Sequence, residues 1–313
     1  MVFVSSSDAY QSRIDAETTI LKRRDPVVYS GAGDAFAGGL SQHQLRSYQK
    51  NGFVLLKGLF SEAQAAGFLA EANRLCADPA IRAREEAVAE PGGEQVRSVF
   101  RVHRLSALYR SLACDARLVR VAEQILGSQV YIHQSRVNLK SGFFGKEFYW
   151  HSDFETWHVE DGMPRMRALS CTVLLTENNE FNGPLMLMPG SHMDFISCVG
   201  QTPAEHYKQS LRKQEYGIAD PAALGFLCDK GGLQSMKGPA GSVVFFDCNA
   251  MHGSNSNISP YPRANLFMVY NSVENRLQPP RGGLTPRPEF IAAREDCEAL
   301  TAIEPDYADA AAS

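Results

Sequence analysis

The sequence predicts a mainly β protein with surrounding helices, in which an N-terminal helical layer packs against an antiparallel double-sheet barrel. Two observations support this prediction. Helix-like stretches with capping residues predominate up to Gly127, and short strand-like segments separated by Gly, Pro and Asn predominate after it. Helices first and short strands later are typical of such a layered fold. The chain has 313 residues, 44% of them hydrophobic, which is enough for one enlarged barrel domain.

Three helices are predicted in the first part of the chain, each from a capping residue at its start. They are expected at Ser41 to Gly52, Ser61 to Cys76 and Asp115 to Gly127. Between the second and the third, the stretch from Ala77 to Gly93 is charged, rich in alanine and ends in Pro-Gly-Gly. This composition indicates a mobile or lid-like connection.

The barrel is predicted from short segments rich in β-branched and aromatic residues. The expected strands are Phe53 to Leu56, Val130 to Leu139, Met166 to Leu175, Gly241 to Phe246 and Ala264 to Val273. The first forty residues are interpreted as an irregular, partly helical arm without chemistry. The domain organisation is then an arm at 1–40, a single domain at 41–285 (helical layer 41–127, barrel core 128–285) and a C-terminal tail at 286–313.

Composition narrows the function classes. The 31 Lys and Arg against 35 Asp and Glu give a net charge of −4 without any basic run, so we exclude nucleic acid as the main partner. The N-terminus lacks a signal-peptide pattern, and no apolar stretch reaches the ~18 residues that would span a membrane. The seven cysteines are scattered and never spaced as C-x-x-C. They favour reduced thiols in a cytoplasm over disulfides or a structural zinc site.

The first chemical lead is a histidine followed two positions later by a carboxylate, because residues i and i+2 of a strand share a face, about 6.6 Å apart. Three pairs fit: His151 with Asp153, His158 with Glu160, and His192 with Asp194. The second runs into an Asp-Gly turn and the third follows a Pro-Gly turn, whereas the first follows the aromatic run Phe148-Tyr-Trp. We therefore prefer His151 and Asp153 as metal ligands, with a surface or hydrogen-bonded core pair as the alternative. His192 is expected to be structural.

A third ligand is expected from a later strand. His252 follows the apolar segment Gly241 to Phe246, and with His151 and Asp153 it would complete a 2-His-1-carboxylate set. That set suits Fe(II) enzymes because three of six octahedral positions stay open. Arg263 lies eleven residues further on, where a hairpin could return it towards the metal. The two-pronged guanidinium of Arg263 suits the distal carboxylate of 2-oxoglutarate. The alternative is that Arg263 is a solvated charge in a loop.

These residues together resemble the phytanoyl-CoA-hydroxylase-like Fe(II)/2-oxoglutarate dioxygenases. The resemblance rests on His151-Ser-Asp153, His252, Arg263, and the segment from Asn182-Gly-Pro-Leu to Pro189-Gly-Ser-His192. Within that family, the signature of ectoine hydroxylases is similar to the run from Phe148 to Pro164, continued by Met166-Arg-Ala-Leu-Ser170 and Leu174-Leu-Thr-Glu-Asn178. The similarity spans about residues 40–284.

The resemblance implies a double-stranded β-helix, also called a jelly roll or cupin-type barrel. It implies hydroxylation of ectoine to 5-hydroxyectoine in compatible-solute biosynthesis, with 2-oxoglutarate and O₂ converted to succinate and CO₂. The implied Fe(II) ligands are His151, Asp153 and His252. The implied 2-oxoglutarate site consists of Arg263, Ser254, Asn138, Lys140 and Phe148. The implied ectoine site consists of Gln134, Arg136, Trp157, Phe246 and Phe267.

The residues themselves leave alternatives open. Gln134, Arg136 and Asn138 alternate onto one face of a predicted strand, which is either the inner face or a solvated outer one. Trp157 and Phe246 could equally be core aromatics. A related dioxygenase for another small amino-acid-like substrate would use the same triad, and a non-catalytic cupin-like binding module would need no turnover. A zinc hydrolase is disfavoured because H-E-x-x-H is absent.

Two further expectations concern mobility and assembly. The segment 203–231 is polar in its first half and is interpreted as a lid or a plain surface excursion. The resembled family is often dimeric, which leaves a homodimer open.

Overall fold

The computed structural model describes residues 8–14, 17–31, 37–90, 93, 95–203, 207, 217–280 and 283–307. The helices are α1 (Gln42–Asn51), α2 (Glu62–Ala77), α3 (Pro79–Arg82), α4 (Val102–Leu105), α5 (Ala107–Ala113), α6 (Ala116–Leu126), α7 (Asp153–Asp161) and α8 (Pro221–Gly231). The strands are β1 (Ile20–Lys22), β2 (Phe53–Leu56), β3 (Ala87–Ala89), β4 (Val96–Phe100), β5 (Val130–Lys140), β6 (Phe148–His151), β7 (Ala168–Leu174), β8 (Leu185–Leu187), β9 (Asp194–Ile196), β10 (Gln234–Ser235), β11 (Val243–Asp247), β12 (His252–Ser254) and β13 (Arg263–Ser272).

Two antiparallel sheets form the barrel. The larger sheet has the strand order β2-β11-β7-β13-β5-β4-β3, and the smaller sheet has the order β10-β8-β12-β6. A shared core cluster joins them, since Val244 and Phe246 of β11 pack with Leu185 and Leu187 of β8. The predicted fold class, a double-sheet barrel with surrounding helices, is confirmed.

Strand β11 packs against a different layer on each of its two faces. Val244 and Phe246 belong to the core between the sheets, whereas Val243 and Phe245 belong to the cluster shared with the helical layer. Successive side chains of a strand point to opposite faces, so a strand apolar at every position is buried on both sides.

The predicted helix starts and stops are confirmed. Ser41 caps α1 in a capping box with Gln44, and Ser61 and Asp115 cap α2 and α6. Gly52 ends α1 at φ 82°, where a Cβ would also lie 2.6 Å from the ring of His192. The left-handed conformation and the close approach both call for glycine.

The connection after α2, which was predicted to be mobile or lid-like, contains regular secondary structure. Helix α3 occupies its start, and β3 pairs with β4 at the end of the larger sheet. Val88 of β3 is buried against Phe100, Phe290 and Ile291. A composition rich in alanine and charge gives no sign of this pairing, because the strand also depends on packing against Phe290 and Ile291, which are distant in sequence.

The arm is more ordered than its composition indicates. Ile20–Lys22 forms β1 and pairs with β9, and the Tyr10 ring packs edge-on against Phe154 at 5.3 Å. The division into arm, domain and tail stays a prediction. Segments on both sides of residues 41–285 contribute buried side chains, among them Tyr10 and Ile291.

The strand geometry predicted for the His151-x-Asp153 pair is wrong. Strand β6 ends at His151, and Asp153 is the first residue of α7. His158 and Glu160 also lie in α7, and the predicted turn begins only at Gly162, whose φ of 70° ends the helix. The aromatic run is too short to carry the strand past His151.

The remaining expectations concern the suggested lid, the cysteines and membrane-spanning helices. Residues 204–206 and 208–216 of the suggested lid lie outside the described residues, and its second half contains α8. All seven cysteines are free thiols. Among the described helices, none combines the length and apolar character needed to cross a bilayer.

Candidate active site

Two paired strands of the smaller sheet place the histidines. His151 at the end of β6 lies opposite His252 at the start of β12, and the ring centroids are 4.2 Å apart. Directly opposed residues of antiparallel strands have Cβ atoms about 5 Å apart, so the pairing itself brings the imidazoles together.

Helix α7 supplies the carboxylate. Asp153 Oδ1 lies 3.8 Å from His151 Nε2, and Oδ2 lies 3.8 Å from His252 Nε2. The Ser170 hydroxyl donates to Oδ2 at 3.2 Å. The first turn of a helix favours negative charge because its amide groups point outwards there. One ligand atom from each of the three residues lies within 4.8 Å of the others.

Hydrogen bonds to the backbone fix the tautomers of both rings. Nδ1 of His151 donates to the Tyr149 carbonyl at 2.7 Å, and Nδ1 of His252 donates to the Ala250 carbonyl at 3.0 Å. The Nε2 lone pairs therefore face Asp153. Burial, followed by the neighbouring His252, lowers the pKa of His151 to about 4, which keeps the ring neutral as a ligand must be. The donor set fits a divalent metal with open coordination positions.

A second polar cluster lies where β5 and β13 meet. Arg263 pairs in register with Lys140, and its guanidinium donates to Asn138 Oδ1 at 2.7 Å. Arg263 is 3% exposed, and among the described residues its Nε–H has no hydrogen-bond acceptor. A buried, unsatisfied donor is costly, so this site suits an added acceptor such as a carboxylate.

The Lys140 ammonium lies beside Arg263 and donates to the Ser254 hydroxyl at 2.8 Å. Burial and then the charge of Arg263 lower the pKa of Lys140 to about 6. Burial, followed by Arg97 and Arg136, lowers the pKa of Arg263 to about 10. Crowded, desolvated cations gain most from an anion.

Arg97 is a site residue that the sequence analysis missed. Its guanidinium lies 4.0 Å from the ring centre of Phe148, whose ring is in turn 6.3 Å from that of His151. Phe148 also lies opposite Ser254 in the β6–β12 pairing. A single arginine in a short strand gives no local signal, because an exposed strand face has the same pattern.

The predicted substrate residues surround the metal side of the barrel. The Phe246 ring lies 5.0 Å from that of His252, and the Arg136 guanidinium lies 5.0 Å from the ring centre of Phe267. The amide oxygen of Gln134 accepts from Arg136 at 3.1 Å. Desolvation lowers the pKa of Arg136, and the Asp153 carboxylate opposes that effect, so the two charges influence each other.

Trp157 lies one helical turn after Asp153 on α7, and residues four apart share a helix face. Its ring is 4% exposed and meets His133 edge-on at 5.1 Å. His192, by contrast, bonds to the Gln49 carbonyl at 3.1 Å and not to a metal ligand.

Comparison with known proteins agrees with this geometry. The family model described as phytanoyl-CoA dioxygenase matches residues 48–265. The chain belongs to the phytanoyl-CoA dioxygenase family. It is 62% identical over 299 residues to the ectoine dioxygenase of Bordetella bronchiseptica, covering 96% of both chains.

Solved structures of the same family give the same result. The chain matches a crystal structure of EctD from S. alaskensis with 2-oxoglutarate and 5-hydroxyectoine at a TM-score of 0.84 and 46% identity, covering 94% of this chain and 97% of that chain. It matches the same protein with bound Fe at a TM-score of 0.84 and 45% identity, covering 95% and 98%. The resemblance predicted from the sequence is confirmed.

Proposed function

We propose that the protein is an Fe(II)/2-oxoglutarate-dependent dioxygenase that hydroxylates ectoine to 5-hydroxyectoine. The observation that carries the proposal is the buried His151, Asp153 and His252 set, found beside a buried cationic cluster in a chain 62% identical to an ectoine dioxygenase. The reaction converts 2-oxoglutarate and O₂ to succinate and CO₂ and serves compatible-solute biosynthesis and the response to osmotic stress.

His151, Asp153 and His252 would hold the iron. Bound Fe(II) supplies the O₂-activating chemistry that couples decarboxylation of 2-oxoglutarate to hydroxylation of the substrate. The chain contributes two imidazoles and one carboxylate, each oriented by a hydrogen bond within the protein. Such supporting bonds are worth about 10- to 100-fold in metal affinity.

The cationic cluster would hold 2-oxoglutarate. The Arg263 fork and the Lys140 ammonium offer donors to the distal carboxylate, and Asn138 and Ser254 orient these two cations. Phe148 would form the wall between this anchor and the metal. Because the cluster is buried, a carboxylate there interacts with little screening by water.

The remaining residues would hold ectoine, a small zwitterion with a delocalised amidinium and a carboxylate. Trp157, Phe246 and Phe267 offer aromatic faces, which attract delocalised cations. Arg136 and Gln134 offer donors for the carboxylate. The pocket would aim one C–H bond at the metal and exclude water and other reductants.

The test is turnover by the Fe(II)-loaded protein with 2-oxoglutarate, O₂ and ectoine. Mass spectrometry should show a product one oxygen heavier, formed together with succinate. His151→Ala should abolish both products, whereas His43→Ala, an exposed histidine on α1, should not. Succinate without hydroxylated ectoine would favour a related dioxygenase for another small substrate. Neither product, with no metal bound, would favour the non-catalytic binding module.

We further propose a homodimer and a cytoplasmic location. The support for the location is that all seven cysteines are free thiols, as expected in a reducing compartment. Sedimentation velocity tests the dimer, and fractionation of cells that produce the protein tests the location.

A further inference from the structure

Helix α7 carries three buried carboxylates besides the metal ligand Asp153. Glu155, Glu160 and Asp161 are 1%, 4% and 0% exposed. Burying a carboxylate without a partner is strongly unfavourable, so each needs a cation. The cations come from outside the barrel strands: Arg13 lies in the N-terminal arm, and Arg287 lies after β13.

Arg13 uses all of its side-chain N–H groups on or beside α7. Nε and one terminal nitrogen bind both oxygens of Glu155 at 2.9 and 2.6 Å. The other terminal nitrogen donates to Glu160 at 2.6 Å and to Thr202 Oγ1 at 2.8 Å. A further bond at 3.2 Å reaches Thr156 Oγ1. This arrangement satisfies a guanidinium fully and defines its orientation.

The backbone around Arg13 is held as firmly as its side chain. Arg13 has φ 59°, a left-handed conformation that is unfavourable for an arginine. Its N–H donates to the Cys198 carbonyl at 2.8 Å. The neighbouring Ser12 hydroxyl donates to Glu155 at 2.6 Å and accepts from the Cys198 amide at 2.8 Å. Strain of this kind persists only where the surroundings enforce it, which is common at functional sites.

The contacts of Arg13 lie on both sides of Trp157 and close behind Asp153. Glu155 lies two residues after Asp153, and Thr156 immediately precedes Trp157. Glu160 lies near the far end of the helix. Contacts in the first and in the last turn of a rigid helix restrict its rotation and sliding relative to the two histidines.

We propose that Arg13 is a positioning residue, which clamps α7 so that Asp153 faces the metal and Trp157 faces the substrate. The part that concerns Trp157 rests on the proposed ectoine hydroxylation. The part that concerns Asp153 needs only a divalent metal at the triad and stands independently of the substrate.

The experiment compares Arg13→Gln and Arg13→Lys with the wild-type protein and with Arg117→Gln. Arg117 is the control because it also pairs with a buried carboxylate, that of Asp115, and stacks on Phe60 in the helical layer, although its side chain is 34% exposed and that of Arg13 is 2% exposed. There are three readouts. The first is the metal affinity, measured anaerobically without ectoine, either for Fe(II) or for Co(II) as a spectroscopic probe. The others are the melting temperature and the ratio of hydroxyectoine to succinate.

Arg13→Gln is expected to weaken metal affinity by about tenfold or more and to lower the ratio of hydroxyectoine to succinate, because the carboxylate and the substrate wall are no longer held. Arg13→Lys keeps the charge but loses the fork, so a smaller loss in the same direction is expected. Arg117→Gln should lower the melting temperature without changing metal affinity by more than about twofold.

Removing both charges of the Arg13–Glu155 ion pair gives a further test. In Arg13→Gln with Glu155→Gln, the buried charge of Glu155 is removed together with that of Arg13, and Glu160 keeps Arg287 at 3.8 Å, so part of the lost metal affinity should return. The proposal would be overturned if Arg13→Gln and Arg13→Lys both kept the wild-type metal affinity and showed only a lower melting temperature. Arg13 would then only stabilise the packing of the N-terminal arm. If Arg13→Gln does not fold, wild-type metal affinity and coupling in Arg13→Lys would overturn it equally. If Arg13→Gln loses metal affinity but the wild-type protein does not turn over ectoine, the substrate assignment is wrong and the positioning role of Arg13 stands.

Discussion

The two ends of the site differ in charge: the metal end, at His151, Asp153 and His252, carries the Asp153 carboxylate, whereas the cosubstrate end carries the Arg263 guanidinium beside the Lys140 amine. The metal end pairs this carboxylate with two imidazoles, whose Nε2 atoms each lie 3.8 Å from one of its oxygens. The cosubstrate end brings basic groups together: after burial, Arg263 lowers the pKa of Lys140, and Arg97 and Arg136 lower the pKa of Arg263.

This difference indicates which ligand completes each end. A cation offsets the carboxylate at the metal end, and an anion offsets the ammonium and guanidinium at the cosubstrate end. Phe148 separates the two, with Arg97 on one side and His151 nearby. A molecule with a chelating group at one end and a carboxylate at the other, such as 2-oxoglutarate, satisfies both ends together.

The largest effect is expected from Asp153→Asn, which removes the only carboxylate among the three ligands. An amide donates to the metal more weakly and leaves the positive ion without compensation, so metal affinity should fall more than about 100-fold and turnover should be lost. Anaerobic Fe(II) titration measures the affinity. Asp229→Asn, at an exposed position of α8, is the control. Retained iron-dependent turnover would show that Asp153 is not a ligand.

Arg263→Gln tests the opposite end. It removes a charged donor for the distal carboxylate, and a hydrogen bond to a charged group is worth about 1.5–3 kcal/mol, so the KM for 2-oxoglutarate should rise about 10- to 100-fold. Fe(II) affinity without cosubstrate should change by less than about twofold, because Arg263 contacts Asn138 and no metal ligand in the hydrogen-bond network. The exposed Arg46→Gln is the control. A large loss of metal affinity in Arg263→Gln would mean that the two ends are not separate.

The sequence predicted strands β5, β11 and β13, because local patterns determine them. These strands and the caps of α1, α2 and α6 depend on neighbours in the chain, and they were found as expected. Strand β12, which carries His252, and strand β4, which carries Arg97, were not among the predicted strands. The metal set was found from spacing, although Asp153 reaches the histidines from a helix and not from the predicted strand.

Long-range partners explain what the sequence did not predict. Glu155, Glu160 and Asp161 have the composition of an exposed helix face, and the cations Arg13 and Arg287 make their burial possible. These partners lie more than 120 residues away in the chain. No local pattern distinguishes a clamp of this kind from an irregular arm without chemistry, which is how the first forty residues were interpreted.

Lys140 gives a pH-dependent test of the cosubstrate end. Its pKa of about 6 means that the amine is neutral at pH 8 without cosubstrate. A bound carboxylate raises that pKa, so binding of 2-oxoglutarate to the Fe(II)-loaded protein should take up close to one proton at pH 8. The unfolded chain keeps this proton up to about pH 10.4. The Lys140 amine therefore makes the protein without 2-oxoglutarate more stable to unfolding as pH rises from about 6 to about 10.

Calorimetric titrations in two buffers with different ionisation enthalpies count the protons. Lys140→Met should bind 2-oxoglutarate without this uptake, and Lys57→Met, at an exposed lysine after β2, should behave as the wild-type protein. Equal heats in both buffers for the wild-type protein would show that Lys140 is already charged.

The smallest effect is expected from Phe148→Leu, at the boundary between the two ends. The change removes the ring beneath the Arg97 guanidinium but keeps an apolar side chain. A cation–π contact is worth about 0.5–1 kcal/mol at a partly exposed position, which corresponds to a two- to fivefold rise in the KM for 2-oxoglutarate. Metal affinity should stay unchanged, because the β6–β12 pairing that places His151 depends on backbone hydrogen bonds and not on this ring. Equal losses in cosubstrate and metal affinity would instead assign Phe148 to the support of His151, and the boundary between the two ends would then lie nearer to Arg263.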